Sequence, residues 1–229
     1  MWLLASTPFV GNEQIGVQRI GLFGGTFDPV HFGHLRPAVE LAETYTLDSL
    51  YLLPNHRPVH RGPARASTEH RIAMLELAIA GTERLTVDSR EALRETPSYT
   101  FETLTELHAE QPEATVLFFM GLDAFAKYDT WHQWEEILEL ANLVIVKRPG
   151  AQHSIFSANL LVRQQERLGG SISNGQHGII EECEVTQLSI SSTDIRQRLS
   201  RELTVRFLLP DAVSEYIVNT SLYRPSSST

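Results

Sequence analysis

Short apolar runs alternate with stretches of helical spacing along most of the chain. Arg19–Phe23 is a continuous apolar run stopped by Gly24-Gly25, the pattern of a strand buried on both faces. Ser49–Leu53, Ala114–Met120, Leu143–Lys147 and Ile179–Val185 repeat it, and Arg84–Asp88 is a shorter version. Between Gly33 and Tyr45 the apolar positions are Leu35, Ala38, Val39, Leu41 and Ala42. Spacings of three and four put them on one helical face. Similar spacing predicts helices over Glu69–Ala80, with Ser67 or Thr68 as its cap, and over Ser98–Glu110, Trp131–Leu140, Ala158–Leu168, Ser192–Leu199 and Asp211–Asn219. Pro54–Ala66, rich in Pro, Arg and His, reads as a functional loop. Gly169–Gly178, rich in Gly, Ser and Asn, reads as a flexible one.

Strands separated by helices predict an α/β fold, a Rossmann-like parallel sheet with helices on both faces. One domain over residues 19–224 accounts for it, with 1–18 as a frayed N-terminal extension and 225–229 as a disordered tail. Val17 is compatible with a start at an alternative codon. The first ten residues are apolar but lack a basic flank and are broken by Ser6, Thr7 and Pro8, so they do not read as a signal peptide. No apolar run approaches the roughly 18–20 residues of a membrane span, so no membrane association is expected. Parallel sheets bind ligands beyond the carboxyl ends of their strands, where strand order reverses. Gly24–His34, Pro54–Arg61, Gly121–Asp129 and the segment before Ser192 should therefore converge on one cleft.

Net charge is −9 over 229 residues, which disfavours nucleic acid as a partner. The stretch His31–Arg71 departs from that average. It holds five arginines against four acids and five of the nine histidines. A local cationic pocket on an acidic protein suits a small polyanion such as a nucleotide. Cys183 is the single cysteine, which excludes an intrachain disulfide and a cysteine zinc site and fits a reducing cytoplasm.

The strongest local signal is Gly24-Gly25-Thr26-Phe27-Asp28-Pro29-Val30-His31-Phe32-Gly33-His34. It follows a strand and opens a helix, the setting in which backbone N–H groups and the helix dipole hold phosphate. The chain has no Gly-Lys pair for a Walker loop, and the spacing is not that of a dinucleotide fingerprint. At a separation of three, His31 and His34 can face one side of the first turn and stabilise charge building on phosphate oxygens. His-x-x-His is also a metal-pair spacing, but no third ligand is evident nearby, and no protein metal site is expected. The second signal is Ile190-Ser191-Ser192-Thr193-Asp194-Ile195-Arg196. By itself it fits a plain capped helix with a surface arginine. Paired with the first motif it fits a second helix N-terminus aimed at phosphates, with hydroxyls and a guanidinium as donors.

Together the two motifs resemble the nucleotidyltransferases with a His-x-Gly-His motif, the superfamily that includes class I aminoacyl-tRNA synthetases. Further blocks narrow the likeness: Pro54-Asn55-His56-Arg57-Pro58-Val59-His60-Arg61, Ser98-Tyr99-Thr100, Gly121-Leu122-Asp123, Thr130-Trp131, Arg148-Pro149-Gly150 and the closing Leu208–Tyr223. In order and approximate spacing they are similar to the bacterial nicotinate-nucleotide adenylyltransferases over nearly all of residues 19–224. The resemblance implies that Gly24, Gly25, Thr26, Phe27, His31, His34, Ser192, Thr193 and Arg196 belong to an ATP site, with His31, His34 and Arg196 catalytic. It implies a ribose contact for Asp123. It assigns Asn55, His60 and Arg61 to the mononucleotide and its phosphate, and Tyr99, Thr100 and Trp131 to the surroundings of the pyridine ring. An electron-poor pyridinium stacks well on indole, although Trp131 also fits a core or staple aromatic. The family often has a second proline where this chain has Val59, which alters the expected shape of that loop.

The reaction this implies is direct in-line attack of the mononucleotide phosphate on the α-phosphorus of ATP, with Mg2+ arriving on the ATP. The partners are then ATP and nicotinate mononucleotide, and the protein a cytoplasmic monomer or homodimer. Nicotinamide mononucleotide or another phosphorylated acceptor, such as phosphopantetheine, is the alternative within the class. A non-catalytic nucleotide sensor on the same scaffold is the alternative outside it, and would be expected to lose one of His31, His34 or Arg196.

Overall fold

A computed structural model describes residues 17–55, 64–94, 97–147 and 171–224. His60, Arg61, the Arg148-Pro149-Gly150 block, the expected helix at 158–168 and both chain ends lie outside the described residues. Six strands form one sheet in the order β3-β2-β1-β4-β5-β6: β1 Arg19–Gly25, β2 Ser49–Pro54, β3 Leu85–Val87, β4 Thr115–Gly121, β5 Asn142–Lys147 and β6 Ile180–Glu184. Every pairing is parallel. Strand order reverses between β1 and β4, so the crevice beyond their carboxyl ends is where such a sheet takes a ligand.

The helices are α1 Phe32–Thr44, α2 Thr68–Ile79, α3 Thr100–Glu110, α4 Leu122–Phe125, α5 Trp134–Leu140, α6 Ser192–Ser200 and α7 Asp211–Asn219. Side chains alternate across each strand, and the two sets fill two separate cores. Leu50, Leu52, Leu117 and Phe119 face Leu41, Met74, Leu75, Ile195 and Ile217, from α1, α2, α6 and α7. Ile20, Leu22, Val116 and Phe118 face Leu104, Leu107, Phe125 and Ile137, from α3, α4 and α5. The sheet is thus covered on both faces, which is why its strands read as continuous apolar runs.

One expected helix differs. The helix expected from Trp131 is preceded by a 3-10 turn at Tyr128–Thr130; the chain then passes through extended Trp131 and left-handed Gln133 (φ 50°) and becomes helical only at Trp134. Local side-chain bonds compete with the helix here. Thr130 Oγ1 donates to the Lys127 carbonyl at 2.7 Å, and the buried Tyr128 hydroxyl donates to the Trp134 carbonyl at 2.6 Å. The acids Glu135 and Glu136 then fall in the first turn, where the helix dipole favours them.

Candidate active site

The Gly-rich turn grows directly out of β1. A Cβ on Gly25 would lie 2.7 Å from the Phe27 ring, so the bare glycine lets Phe27 fold back over the strand end. Phe27 is buried with φ 49°, a left-handed backbone that costs energy for an aromatic residue and persists only where its surroundings enforce it. The enforcement is visible on both sides. The Thr26 carbonyl accepts from Arg71 at 2.8 Å, the Asp28 carbonyl from Arg196 at 2.6 Å, and the Pro29 carbonyl from Ser192 Oγ at 3.0 Å. The buried Asp28 carboxylate accepts from Arg65 N at 2.7 Å, Ala66 N at 3.1 Å and the Tyr223 hydroxyl at 2.6 Å.

His31 is the N-cap residue of α1, and its carbonyl accepts from His34 N at 2.8 Å. The His31 and His34 rings stack, with centroids 3.8 Å apart and planes 25° from parallel, and the Phe27 ring meets His34 edge-on at 5.1 Å. A Cβ on Gly33 would come within 2.9 Å of the His31 ring and 3.1 Å of the Ile190 carbonyl. The glycine between the histidines is therefore what lets the second motif dock on the first. His31 is the more enclosed of the two, 4% exposed. Burial pushes its pKa down to about 4, so at neutral pH it is an uncharged imidazole, able to donate one N–H.

In the second motif Ser191, not Ser192, caps the helix, accepting from Asp194 N at 3.1 Å. That leaves the Ser192 hydroxyl for the turn. Arg196 lies one helical turn in; it bonds Thr193 Oγ1 at 3.2 Å and approaches the Asp28 carboxylate at 3.8 Å. Both N-termini thus meet at one place, and Ser192 and Arg196 brace the turn as well as flank it.

The other flank is looser. Asn55 N donates to the Gly25 carbonyl at 3.1 Å, which holds the start of the loop after β2 against the turn. Asn55 Oδ1, Thr26 Oγ1 and His31 Nδ1 are buried without a hydrogen-bond partner among the described residues. Asp123 is exposed on α4, immediately past β4. Tyr99 is the N-cap residue of α3 and Thr100 its first residue; the Tyr99 ring lies 4.6 Å from that of His132. Trp131 is half-buried, edge-on to Phe118 at 6.0 Å and to Tyr128 at 5.7 Å. No three His, Cys, Asp or Glu side chains among the described residues are grouped to hold a metal ion.

Sequence reasoning passed over Asp28, Arg71, Tyr223 and His132 as site residues. Arg71 left a signal, since it shares the apolar stripe of α2 with Met74, Leu75 and Ile79. A cation on a buried face is rare unless paired. Tyr223 left none in the local pattern, because its role depends on where the last turn of the chain lands.

The cytidylyltransferase-like family model matches residues 22–198. A protein of Pseudomonas paraeruginosa named as a probable nicotinate-nucleotide adenylyltransferase is 47% identical over 209 residues, covering 90% of this chain and 98% of that one. A protein of the same name from Psychromonas ingrahamii is 42% identical over the same shares. Among solved structures, the Plasmodium falciparum nicotinic acid mononucleotide adenylyltransferase complexed with NaAD superposes with a TM-score of 0.66 at 17% identity, over 90% of this chain and 97% of that one.

Proposed function

The chain belongs to the cytidylyltransferase-like family and, within it, to the nicotinate-nucleotide adenylyltransferases, and on that premise we propose how its residues divide the work. The enzyme transfers the AMP half of ATP to nicotinate mononucleotide, giving nicotinate adenine dinucleotide and pyrophosphate in NAD biosynthesis. The observation that carries the assignment of roles is the docking of α6 onto the β1–α1 turn through Ser192 and Arg196. It brings two helix N-termini together at the strand-order switch, the setting that favours an anion.

In this reading Gly24, Gly25, Thr26 and Phe27 shape the ATP turn, and His31 and His34 donate to the α- and β-phosphates. Ser192, Thr193 and Arg196 serve the β- and γ-phosphates, and Asp123 the ribose. His31 acts as a neutral donor, because its burial disfavours the imidazolium. Asn55, His60 and Arg61 receive the acceptor's phosphate side. Tyr99, Thr100 and Trp131 surround its ring, with backbone N–H groups at the start of α3 taking the carboxylate. The acceptor phosphate displaces pyrophosphate from the α-phosphorus in one step, and catalysis is positioning plus charge stabilisation. Mg2+ fits as a companion of ATP held mainly by phosphates and water. It would supply charge neutralisation on the leaving pyrophosphate. We place the enzyme in the cytoplasm, as a monomer or homodimer with no nucleic-acid partner; the lone Cys183 suits a reducing compartment.

Pyrophosphate release from ATP, measured side by side with nicotinate mononucleotide, nicotinamide mononucleotide and phosphopantetheine, tests the substrate. The acid is expected to be the clear favourite, because an amide presents N–H to N–H where a carboxylate accepts. Equal kcat/KM for acid and amide would remove the nicotinate assignment and leave adenylyl transfer standing.

A further inference from the structure

We propose that Tyr223, near the end of the described chain, is a positioning residue for adenylyl transfer, acting through the Asp28 carboxylate on the nucleotide turn. The proposal rests on the adenylyl-transfer reading above. Its hydrogen bond is short, 2.6 Å to Asp28 Oδ1, and charge-assisted, with a phenol donating to a buried carboxylate. Burial and that carboxylate together hold the Tyr223 hydroxyl in its protonated, donating form. The backbone is arranged for this contact. Ser221 and Tyr223 both take left-handed φ, 54° and 61°, just beyond α7, and Leu222 N bonds back to the Ile217 carbonyl at 3.1 Å. A non-glycine residue accepts such a conformation where the fold requires it.

The route to the site is one residue long. Asp28 follows Phe27, whose left-handed backbone sets the ring that touches His34. Arg71 fixes the carbonyl on the other side of Phe27. Of the groups on Asp28, Arg65 N and Ala66 N come from the segment entering α2, Arg196 from α6 and Tyr223 from the chain end. Tyr223 thereby reaches the histidine pair through Asp28 and Phe27.

The test compares Tyr223→Phe, Asp28→Asn and the double variant with a control, Tyr216→Phe. The control removes a hydroxyl that contacts His70 between α7 and α2 at 2.8 Å, a comparable deletion close to Tyr223 in the chain that donates no hydrogen bond to Asp28. Tyr223→Phe is expected to lower kcat about tenfold at saturating substrates while KM for the mononucleotide stays within about twofold. Tyr216→Phe is expected to leave kcat unchanged, and the double variant to be no slower than Asp28→Asn alone. Wild-type kcat in folded Tyr223→Phe would overturn the proposal, as would a loss shared equally by Tyr216→Phe or one that adds fully to that of Asp28→Asn. Absence of pyrophosphate release by the wild type with any of the three acceptors would instead strike the adenylyl-transfer reading itself.

Discussion

The two flanks of the cleft, proposed above to take the ATP phosphates and the acceptor, are built by different means. On the phosphate flank, the carbonyls of Thr26, Asp28 and Pro29 around Phe27 are each tied by a side chain from elsewhere in the chain, Arg71, Arg196 and Ser192 respectively. The imidazoles are stacked and the backbone has little freedom. On the acceptor flank, Trp131 is held by ring contacts with Phe118 and Tyr128, and Tyr99 at the start of α3 by one with His132; Tyr128, Trp131 and His132 lie on an irregular stretch that only later becomes α5. The difference matches the tasks. Charge that develops in the transition state is stabilised by donors fixed before the reaction, whereas a flat aromatic ring needs apolar surface and a few well-placed N–H groups.

The comparison can be broken on its rigid side first. His34→Ala should lose on the order of 10²–10³ in kcat with the fold intact. Near-normal turnover by the folded variant would place the chemistry elsewhere. Arg71→Met removes a buried cation that serves both the Thr26 carbonyl and Thr68, and should cost about 3 kcal/mol of stability. An unchanged urea midpoint would mean that the turn holds itself.

The next effect is a pH dependence. His31 titrates near pH 4 in the folded protein and near its ordinary value of about 6.5 when unfolded. Between those values the unfolded chain binds the extra proton, so stability is fully present above about pH 6.5 and is lost as pH falls toward 4. The contribution lost between pH 8 and pH 5 is about 2 kcal/mol. It is read as the part of the acid-side decline in urea midpoint that His31→Asn abolishes; equal slopes in the two proteins would contradict it.

The smallest effect belongs to the loose flank. Trp131→Ala should lower kcat/KM for the mononucleotide about tenfold with little change in KM for ATP. A loss confined to stability would reduce Trp131 to a packing residue on Phe118.

The same contrast explains what was legible in the sequence. Strands buried on both faces and helices with one apolar stripe are written in local periodicity, and the sheet and most helices can be placed from it. The Gly-rich turn and the two histidines are contiguous, so they too can be read directly. Asp28, Arg71 and Tyr223 reach the turn or one another through contacts 37 to 195 residues apart in the chain, and no local pattern encodes those. The break between Tyr128 and Trp134 depends on two side-chain hydroxyls, of Thr130 and Tyr128, bonding carbonyls, which outweighs helical spacing. His132 opposite Tyr99 follows from that break and was hidden with it.

The mechanism proposed for the phosphate flank is one direct displacement, catalysed by positioning and charge stabilisation with no protein nucleophile. The configuration at phosphorus tests it most directly, using ATP made chiral by a sulfur at the α-phosphate and nicotinate mononucleotide as acceptor. A single in-line attack predicts inversion in the dinucleotide product. Retention of configuration, or AMP trapped covalently on the protein, would contradict it.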